Sequence, residues 1–157
     1  MIGPYPPIRS GIAKHTDAVA RAFEARDDVE VRRWGFSKQY PAFLYPGGSE
    51  RDISKADQAN GVAESLSGPT PLTWRRTARE IQLWGPSTLV MPAWTFPVAP
   101  ALGWIARQVS VARCKVCMIV HNAYDHEAHA LKDRLTSWQL GAADRFVTHN
   151  VALAQEL

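Results

Sequence analysis

Short apolar runs alternate along the chain with longer segments whose apolar residues recur every three or four positions. The clearest apolar run is 116–120, Val-Cys-Met-Ile-Val, which has the length of a buried strand and is too short for a helix. The segment 29–34 alternates apolar with charged residues, a pattern typical of a strand near a sheet edge. The other strands are predicted at 1–2, 87–91 (closed by Pro92) and 144–148, and the helices at 12–25, 72–84, 97–111, 130–140 and from 151 onward.

This order of strand followed by helix predicts an α/β fold. We expect a Rossmann-like open, mostly parallel sheet with helices on both faces, because strands buried on both sides belong to parallel sheets covered by helices. The segment 35–71 is rich in proline and glycine and shows no clear period. A loop of that length without structure is unusual in a compact domain. We therefore expect short elements inside it, including a helical turn at 55–65, with a flexible substrate loop as the alternative.

Composition narrows the function classes only slightly. The 157 residues suit one domain, and 46% hydrophobic with 21% charged residues are ordinary globular values. The formal net charge of +3 is compatible with phosphates or acidic lipids as partners but selects neither. A nucleic-acid partner is not expected, because a basic stripe with stacking aromatics is missing and the six tryptophans are spread among apolar segments.

The sequence shows no pattern of secretion or membrane insertion. Residues 93–106 form the longest apolar stretch, but prolines interrupt it and it is shorter than the ~20 residues of a spanning helix. The start of the chain has no secretory-signal pattern, so we expect a cytoplasmic protein whose oligomeric state stays open. Arg75, Arg76 and Arg79 lie on one side of a predicted helix and are compatible with peripheral contact with the inner face of a membrane. A solvated, charged helix face is the commoner explanation of such a pattern.

Two groups of residues suggest a metal at first sight. Cys114 and Cys117 form a C-x-x-C pair, which elsewhere indicates redox chemistry or zinc. Both fall in a predicted strand, where side chains three residues apart point to opposite faces, so we expect two buried thiols that share neither a disulfide nor a metal. His126, Glu127 and His129 have H-E-x-H spacing rather than the H-E-x-x-H of zinc enzymes, so no metal is expected there either.

Two loops hold the residues that we expect to meet a ligand. His121 and Asn122 directly follow the strand at 116–120, and in open α/β sheets ligands bind beyond the carboxyl ends of the strands. The alternative for His121 is a simple strand cap. Ser10 is a predicted N-cap, and Gly11 lets a ligand approach a helix N-terminus, whose free N–H groups attract phosphate. The fingerprints G-x-G-x-x-G and G-x-x-x-x-G-K-[ST] are absent, which disfavours nicotinamide and ATP chemistry.

Four stretches together resemble the N-terminal half of a retaining GT-B glycosyltransferase of family 4, also called glycosyl transferases group 1. That family has a proline- and glycine-rich first loop, an xPDLVxxP strand, an HN…PHE segment and an AADxFVxHS strand. The corresponding stretches here are 3–13, 85–92, 120–127 and 142–149. Asp125 stands where the family has proline before His126-Glu127, and Ser10-Gly11 stands where many members have two glycines.

The resemblance implies a two-domain enzyme that moves a sugar from a nucleotide-sugar donor to an acceptor hydroxyl with retention, in polysaccharide, lipopolysaccharide or glycolipid synthesis. It implies that residues 1–157 are the N-terminal, acceptor-side domain with a clipped first strand, and that the C-terminal donor-binding domain is missing. It also implies catalysis without a metal or other cofactor. His121 would then be the catalytic residue at the sugar, and the residues that contact substrate would be Ser10, Gly11, Asn122 and Glu127.

We expect residues 1–157 alone to be inactive, because one domain forms no closed cleft that excludes water and positions the donor. The alternative from another class is a non-catalytic α/β binding module, or a degenerate remnant, that docks on a partner chain. A flavodoxin-like phosphate-binding domain is a further alternative, and it predicts tight binding of a free nucleotide by this chain alone.

Overall fold

The structure is a computed structural model, and it describes residues 1–41, 51–52, 61–121, 130–149 and 151–156. Strands and helices alternate along most of these residues, which confirms the predicted α/β class. The strands are β1 (Ile2–Gly3), β2 (Arg33–Lys38), β3 (Val62–Ser67), β4 (Thr88–Ala93), β5 (Lys115–Val120) and β6 (Arg145–Thr148). The helices are α1 (Gly11–Glu24), α2 (Pro71–Trp84), α3 (Ala99–Val111), α4 (Ala130–Leu140) and α5 (Val151–Glu156), with a short 3-10 helix at Phe96–Val98 before α3.

All paired strands run parallel, as predicted. Hydrogen bonds join them into two three-stranded sheets, β1-β2-β3 and β4-β5-β6. Strand β1 lies beside β4, so the strands follow the order 3-2-1-4-5-6 across the molecule. This is the order of dinucleotide-binding folds, in which ligands bind where the strand order reverses. The reversal here lies between β1 and β4.

The boundary between β1 and β4 is packed by side chains, and we call it the seam. Strand β4 continues through Pro92, where the sequence analysis placed its end, and Pro92 lies opposite Ile119 of β5. A Cβ atom on Gly3 of β1 would lie 3.0 Å from Cδ of Pro92. Proline is tolerated at the edge of a sheet because its missing N–H is not needed there. β4 is the edge of its own hydrogen-bonded sheet, which explains why Pro92 does not end the strand.

Helices cover both faces of the sheet, as predicted. Neighbouring residues of a strand point to opposite faces. In β4, Leu89 and Met91 belong to the large core cluster, which also contains Ile81 of α2 and Leu102 of α3. Between them, Val90 packs against a smaller cluster that contains Ala20 of α1. Helix α1 therefore covers one face, while α2 and α3 cover the other.

Strand β2 corrects the prediction for 29–34. The strand occupies Arg33–Lys38 and lies between β1 and β3 rather than at a sheet edge. Trp34 is fully buried, and Arg33 is buried because its guanidinium pairs with Asp17 and Glu24 of α1. The alternating charges that suggested an edge therefore come partly from residues before the strand and partly from a paired, buried arginine.

Strand β3 corrects the last part of the helical turn predicted at 55–65. Residues 62–65 belong to this strand, which pairs with β2 and buries Leu66, whereas residues 53–60 lie outside the described part of the chain. The sequence of β3, Val-Ala-Glu-Ser-Leu-Ser, contains alanine, glutamate and leucine, which favour helices in isolation. Pairing with β2 outweighs that local preference.

The remaining elements match the sequence analysis closely. Helix α2 ends at Gly85, whose φ of 70° is the left-handed conformation that glycine adopts at low cost.

Arg75, Arg76 and Arg79 are exposed on α2, and their contact with a membrane stays a prediction. No helix in the described residues is long and apolar enough to cross a bilayer.

The two cysteines are free thiols in this fold. Cys117 is in β5, but Cys114 precedes that strand by one residue, which corrects its predicted position. Burial raises the pKa of both thiols, so the reactive thiolate form is disfavoured. Cys114 is buried, as predicted, whereas Cys117 is only partly buried.

Candidate functional site

The N-terminus of α1 forms the first part of the candidate site. Ser10 is the N-cap, as predicted, and its hydroxyl oxygen accepts a hydrogen bond of 3.0 Å from the backbone N–H of Ala13. Gly11 is the first helical residue, and a Cβ atom there would meet no other atom within 4 Å. Open space therefore lies beside the free N–H groups at this end of the helix.

A cavity of about 390 Å³ opens at this helix N-terminus. It contains two cationic side chains, Arg9 and Lys14, and one carboxylate, Asp52, so its lining carries a net positive charge. Free N–H groups and the helix dipole add further attraction for an anion. The residues that line it are Pro6, Pro7, Ile8, Arg9, Ser10, Gly11, Lys14 and Asp52.

His121 lies directly beyond the carboxyl end of β5. Its backbone N–H donates to the carbonyl oxygen of Ala93 over 2.9 Å, which extends the pairing of β4 with β5 by one residue. The predicted strand cap is therefore made by its backbone. The imidazole itself is half-buried, and its Nε2 atom is buried without a hydrogen-bond partner among the described residues.

Three imidazole rings meet at this edge of the sheet, and we call them the histidine cluster: His15, His121 and His149. The ring centroids of His15 and His121 are 4.7 Å apart, those of His15 and His149 are 4.9 Å apart, and those of His121 and His149 are 5.2 Å apart. His15 meets both partners edge-on, at interplanar angles of 87° and 82°. One nitrogen from each ring lies within 4.8 Å of the other two.

The topology explains why these three residues meet. His121 and His149 follow β5 and β6, which are neighbouring parallel strands, so both residues leave the sheet at the same edge. His15 lies on α1, which covers one face of that sheet. It stands four residues after Gly11 and therefore on the same side of the helix, one turn further along. The cavity at the helix N-terminus and the histidine cluster thus lie beside successive turns on one face of α1.

The imidazoles of His121 and His15 are neutral at physiological pH. Burial lowers the pKa of His121 to about 4, and the neighbouring His15 and His149 lower it further in the same direction. Burial and then His149 lower the pKa of His15. A neutral imidazole keeps one nitrogen with a lone pair, so these rings can accept hydrogen bonds or bind a metal ion.

The predicted site residues fall into three groups. Ser10 and Gly11 line the cavity together, and His121 lies in the histidine cluster beside the next turn of the same helix. Asn122 and Glu127 lie outside the described residues, so their roles stay predictions, as does the exclusion of a metal at 126–129.

Sequence reasoning missed His15 and His149. A signal for His149 existed, because it follows the strand at 145–148 as His121 follows the strand at 115–120. No spacing in the sequence relates His15 to either of them, because the contact depends on which face of the sheet α1 covers.

Comparisons with known proteins add no assignment. No protein-family model, no curated protein and no solved structure matches the chain. The resemblance to glycosyltransferases therefore stays a prediction, carried by the four sequence stretches described above.

Proposed function

We propose that this chain is the acceptor-side domain of a retaining glycosyltransferase, which moves a sugar from a nucleotide-sugar donor to an acceptor hydroxyl in polysaccharide, lipopolysaccharide or glycolipid synthesis. One observation carries the proposal. Ser10 and Gly11 lie at the start of the helix that follows β1, and His121 lies at the carboxyl end of β5, so the residues chosen from the sequence flank the reversal of strand order. Ligands of open α/β sheets bind at that place.

The cavity beside Ser10 and Gly11 suits the leaving group of this reaction. Negative charge grows on the nucleoside diphosphate as its bond to the sugar breaks. The helix N–H groups are held in place at this position, and groups fixed before the reaction stabilise such charge most effectively. The exposed side chains of Arg9 and Lys14 add positive charge beside them. In this proposal the diphosphate lies against the N-terminus of α1, and a second domain supplies the remaining contacts to the nucleotide.

His121 acts in this proposal by hydrogen bonding to the sugar rather than by nucleophilic attack or proton donation. Its lowered pKa keeps the ring neutral near pH 7, so it is a weak acid catalyst there. Its Nε2 atom is covered in the structure. In this proposal a sugar hydroxyl therefore meets the other ring nitrogen, Nδ1.

The first experiment is calorimetric titration of uridine- and guanosine-diphosphate sugars into this chain and into the chain together with any coding sequence that continues it in frame. We expect binding and sugar transfer only with the longer protein. In that protein Lys14→Ala should weaken donor binding by about ten- to a hundredfold, since a hydrogen bond to a charged group contributes about 1.5–3 kcal/mol. Arg113→Asn is the matched control, because it removes a cation that precedes β5. His121 lies beyond the other end of that strand.

Three outcomes would contradict the proposal or part of it. Tight binding of a nucleotide to the short chain alone would indicate a self-contained α/β nucleotide-binding domain. Failure of the longer protein to bind any nucleotide sugar would remove the glycosyltransferase assignment. Unchanged turnover in the His121→Ala variant of the longer protein would remove His121 from the active site.

A further inference from the structure

We propose that His15, His121 and His149 form a binding site for a divalent transition-metal ion of the kind that imidazole ligands bind, such as zinc. This inference does not depend on sugar transfer, because it rests on the arrangement of the three imidazoles alone. It also departs from the resemblance, which implies a reaction without a metal.

The distances in the histidine cluster suit a metal after a small closure. Three nitrogens that bind zinc at 2.0–2.1 Å in tetrahedral geometry are about 3.4 Å apart. The corresponding nitrogens here lie within 4.8 Å of one another, so the most distant pair must approach by at most about 1.4 Å. His149 is exposed, so its side chain can rotate toward the other two rings without movement of the backbone.

A second observation points to a ligand at this place. Nε2 of His121 is buried and has no hydrogen-bond partner within the described part of the chain. A buried polar atom without a partner costs about 1–3 kcal/mol, so proteins normally satisfy such atoms. A metal ion bound through this nitrogen would give it the partner that it lacks.

The surrounding structure holds the backbone of two of the three ligands in place. His15 lies in the second turn of α1, where the hydroxyl of its buried neighbour Thr16 donates to the carbonyl oxygen of Ile12 over 2.8 Å. The backbone N–H of His121 donates to the carbonyl oxygen of Ala93. Closure around an ion therefore needs rotation of side chains and no rearrangement of these two backbone segments.

The chemistry of the ligands selects the class of metal. Imidazole nitrogens suit zinc, copper, nickel and iron, whereas magnesium and calcium prefer oxygen ligands. Three protein ligands leave a fourth position of tetrahedral zinc open for water or another oxygen ligand. That open position would lie at the carboxyl edge of the sheet, one helical turn from the cavity at Gly11.

The experiment is titration of the chain, freed of metal by a chelator, with zinc and with cobalt. Calorimetry in competition with a coloured chelator measures zinc affinity, and the visible spectrum of bound cobalt reports its coordination geometry. His15→Ala and His149→Ala are the test variants, because one lies on a helix surface and the other is exposed, and circular dichroism verifies that both remain folded. The double variant His126→Ala/His129→Ala is the matched control, because it removes the other histidines of the chain.

We expect one equivalent of zinc, a tetrahedral cobalt spectrum, and a loss of zinc affinity of about a hundredfold or more in each test variant, since even outer partners of metal ligands are worth 10–100-fold. The control should bind zinc within about twofold of the parent. Zinc binding that survives in His15→Ala and His149→Ala, or that is lost in the control alone, would overturn the proposal. Failure of the parent to bind zinc more tightly than His15→Ala would show that the three rings only pack against one another.

Discussion

Ser10 and Gly11 are adjacent residues with different physical tasks. The oxygen of Ser10 accepts a hydrogen bond from Ala13 and thereby satisfies one of the free N–H groups of α1. Gly11 makes no packing contact through a side chain, and a methyl group there would enter open space. The side chain of Ser10 therefore stabilises the start of α1, whereas the missing side chain at Gly11 matters only for a ligand that approaches the helix N-terminus from solvent.

The substitution Gly11→Ala separates folding from binding. We expect the free energy of unfolding to fall by no more than about 0.5 kcal/mol, or to rise, because alanine favours a helix more than glycine does. Binding of a nucleotide sugar to the longer protein should weaken by about tenfold, equal to about 1.4 kcal/mol, because the methyl group occupies the approach to the helix N-terminus. Urea unfolding and calorimetry measure the two effects.

Gly68→Ala is the control for Gly11→Ala, with the opposite expectation for folding. A Cβ atom at Gly68 would lie 2.1 Å from the carbonyl oxygen of Gln39, so the backbone must shift. We expect a loss of about 1–3 kcal/mol, the usual range for overpacking. Equal stability losses in both variants, or unchanged donor binding in Gly11→Ala, would contradict the assignment of Gly11 to the ligand.

At the scale of elements, Arg33 joins a strand to a helix. Its Nη1 donates to Oδ1 of Asp17 over 2.8 Å, its Nε donates to Oε1 of Glu24 over 2.7 Å, and its Nη2 also pairs with Glu24. The side chain of Arg33 is 8% exposed and that of Asp17 is 14% exposed. This buried guanidinium therefore fixes β2 against α1, the helix that carries His15.

Replacing Arg33 with methionine should destabilise the fold. Methionine fills similar space, but it leaves the carboxylate of Glu24 without its cation and that of Asp17 with Arg21 as its remaining ion-pair partner, so we expect a loss of about 1–3 kcal/mol. The neighbouring Arg32→Met is the control, because Arg32 is exposed and contacts the Trp34 ring at 5.4 Å. Its loss should stay within about 1 kcal/mol. Equal losses of unfolding free energy in the two variants would refute the role given to Arg33.

Prediction from sequence succeeded where local signals and tertiary structure agree. Helix α2 has apolar residues at helical spacing and glycine just past its end, and the structure confirms both. It failed at β2 and β3, because Arg33 is buried only through partners distant in sequence, and β3 is a strand only because it pairs with β2. The histidine cluster escaped prediction for the same reason, since three rings from α1, β5 and β6 meet only through the topology.

At the scale of the whole molecule, Asp144 ties the chain before β6 to the start of β5. Its two oxygens accept hydrogen bonds of 2.8 Å from Nζ of Lys115 and from the backbone N–H of Val116. The hydrogen bond from Lys115 and then that from Val116 lower the pKa of Asp144. The ionised form therefore contributes to stability.

This contribution should make stability fall in acid. A carboxylate whose pKa is lowered by folding stabilises the protein above its unfolded pKa of about 3.9, and that stabilisation is lost as the pH falls through the lower, folded value. We expect Asp144→Asn to be less stable than the parent at pH 7 and to lose less stability between pH 5 and pH 2, as measured by urea unfolding. Asp27→Asn, an exposed change after α1, should follow the parent. If Asp144→Asn and the parent lost the same unfolding free energy between pH 5 and pH 2, this account would be contradicted.

The seam gives Gly3 an influence beyond its own strand. A side chain at that position would press on Pro92 across the seam and on Cγ2 of Thr16, 3.1 Å away on α1. Even a methyl group would require Pro92 or Thr16 to shift by a few tenths of an ångström. His15 precedes Thr16 on α1, so such a shift acts on the helix that carries one ring of the histidine cluster. The close approach of β1 and β4 at Gly3 thus links the packing between the two sheets to the position of that ring.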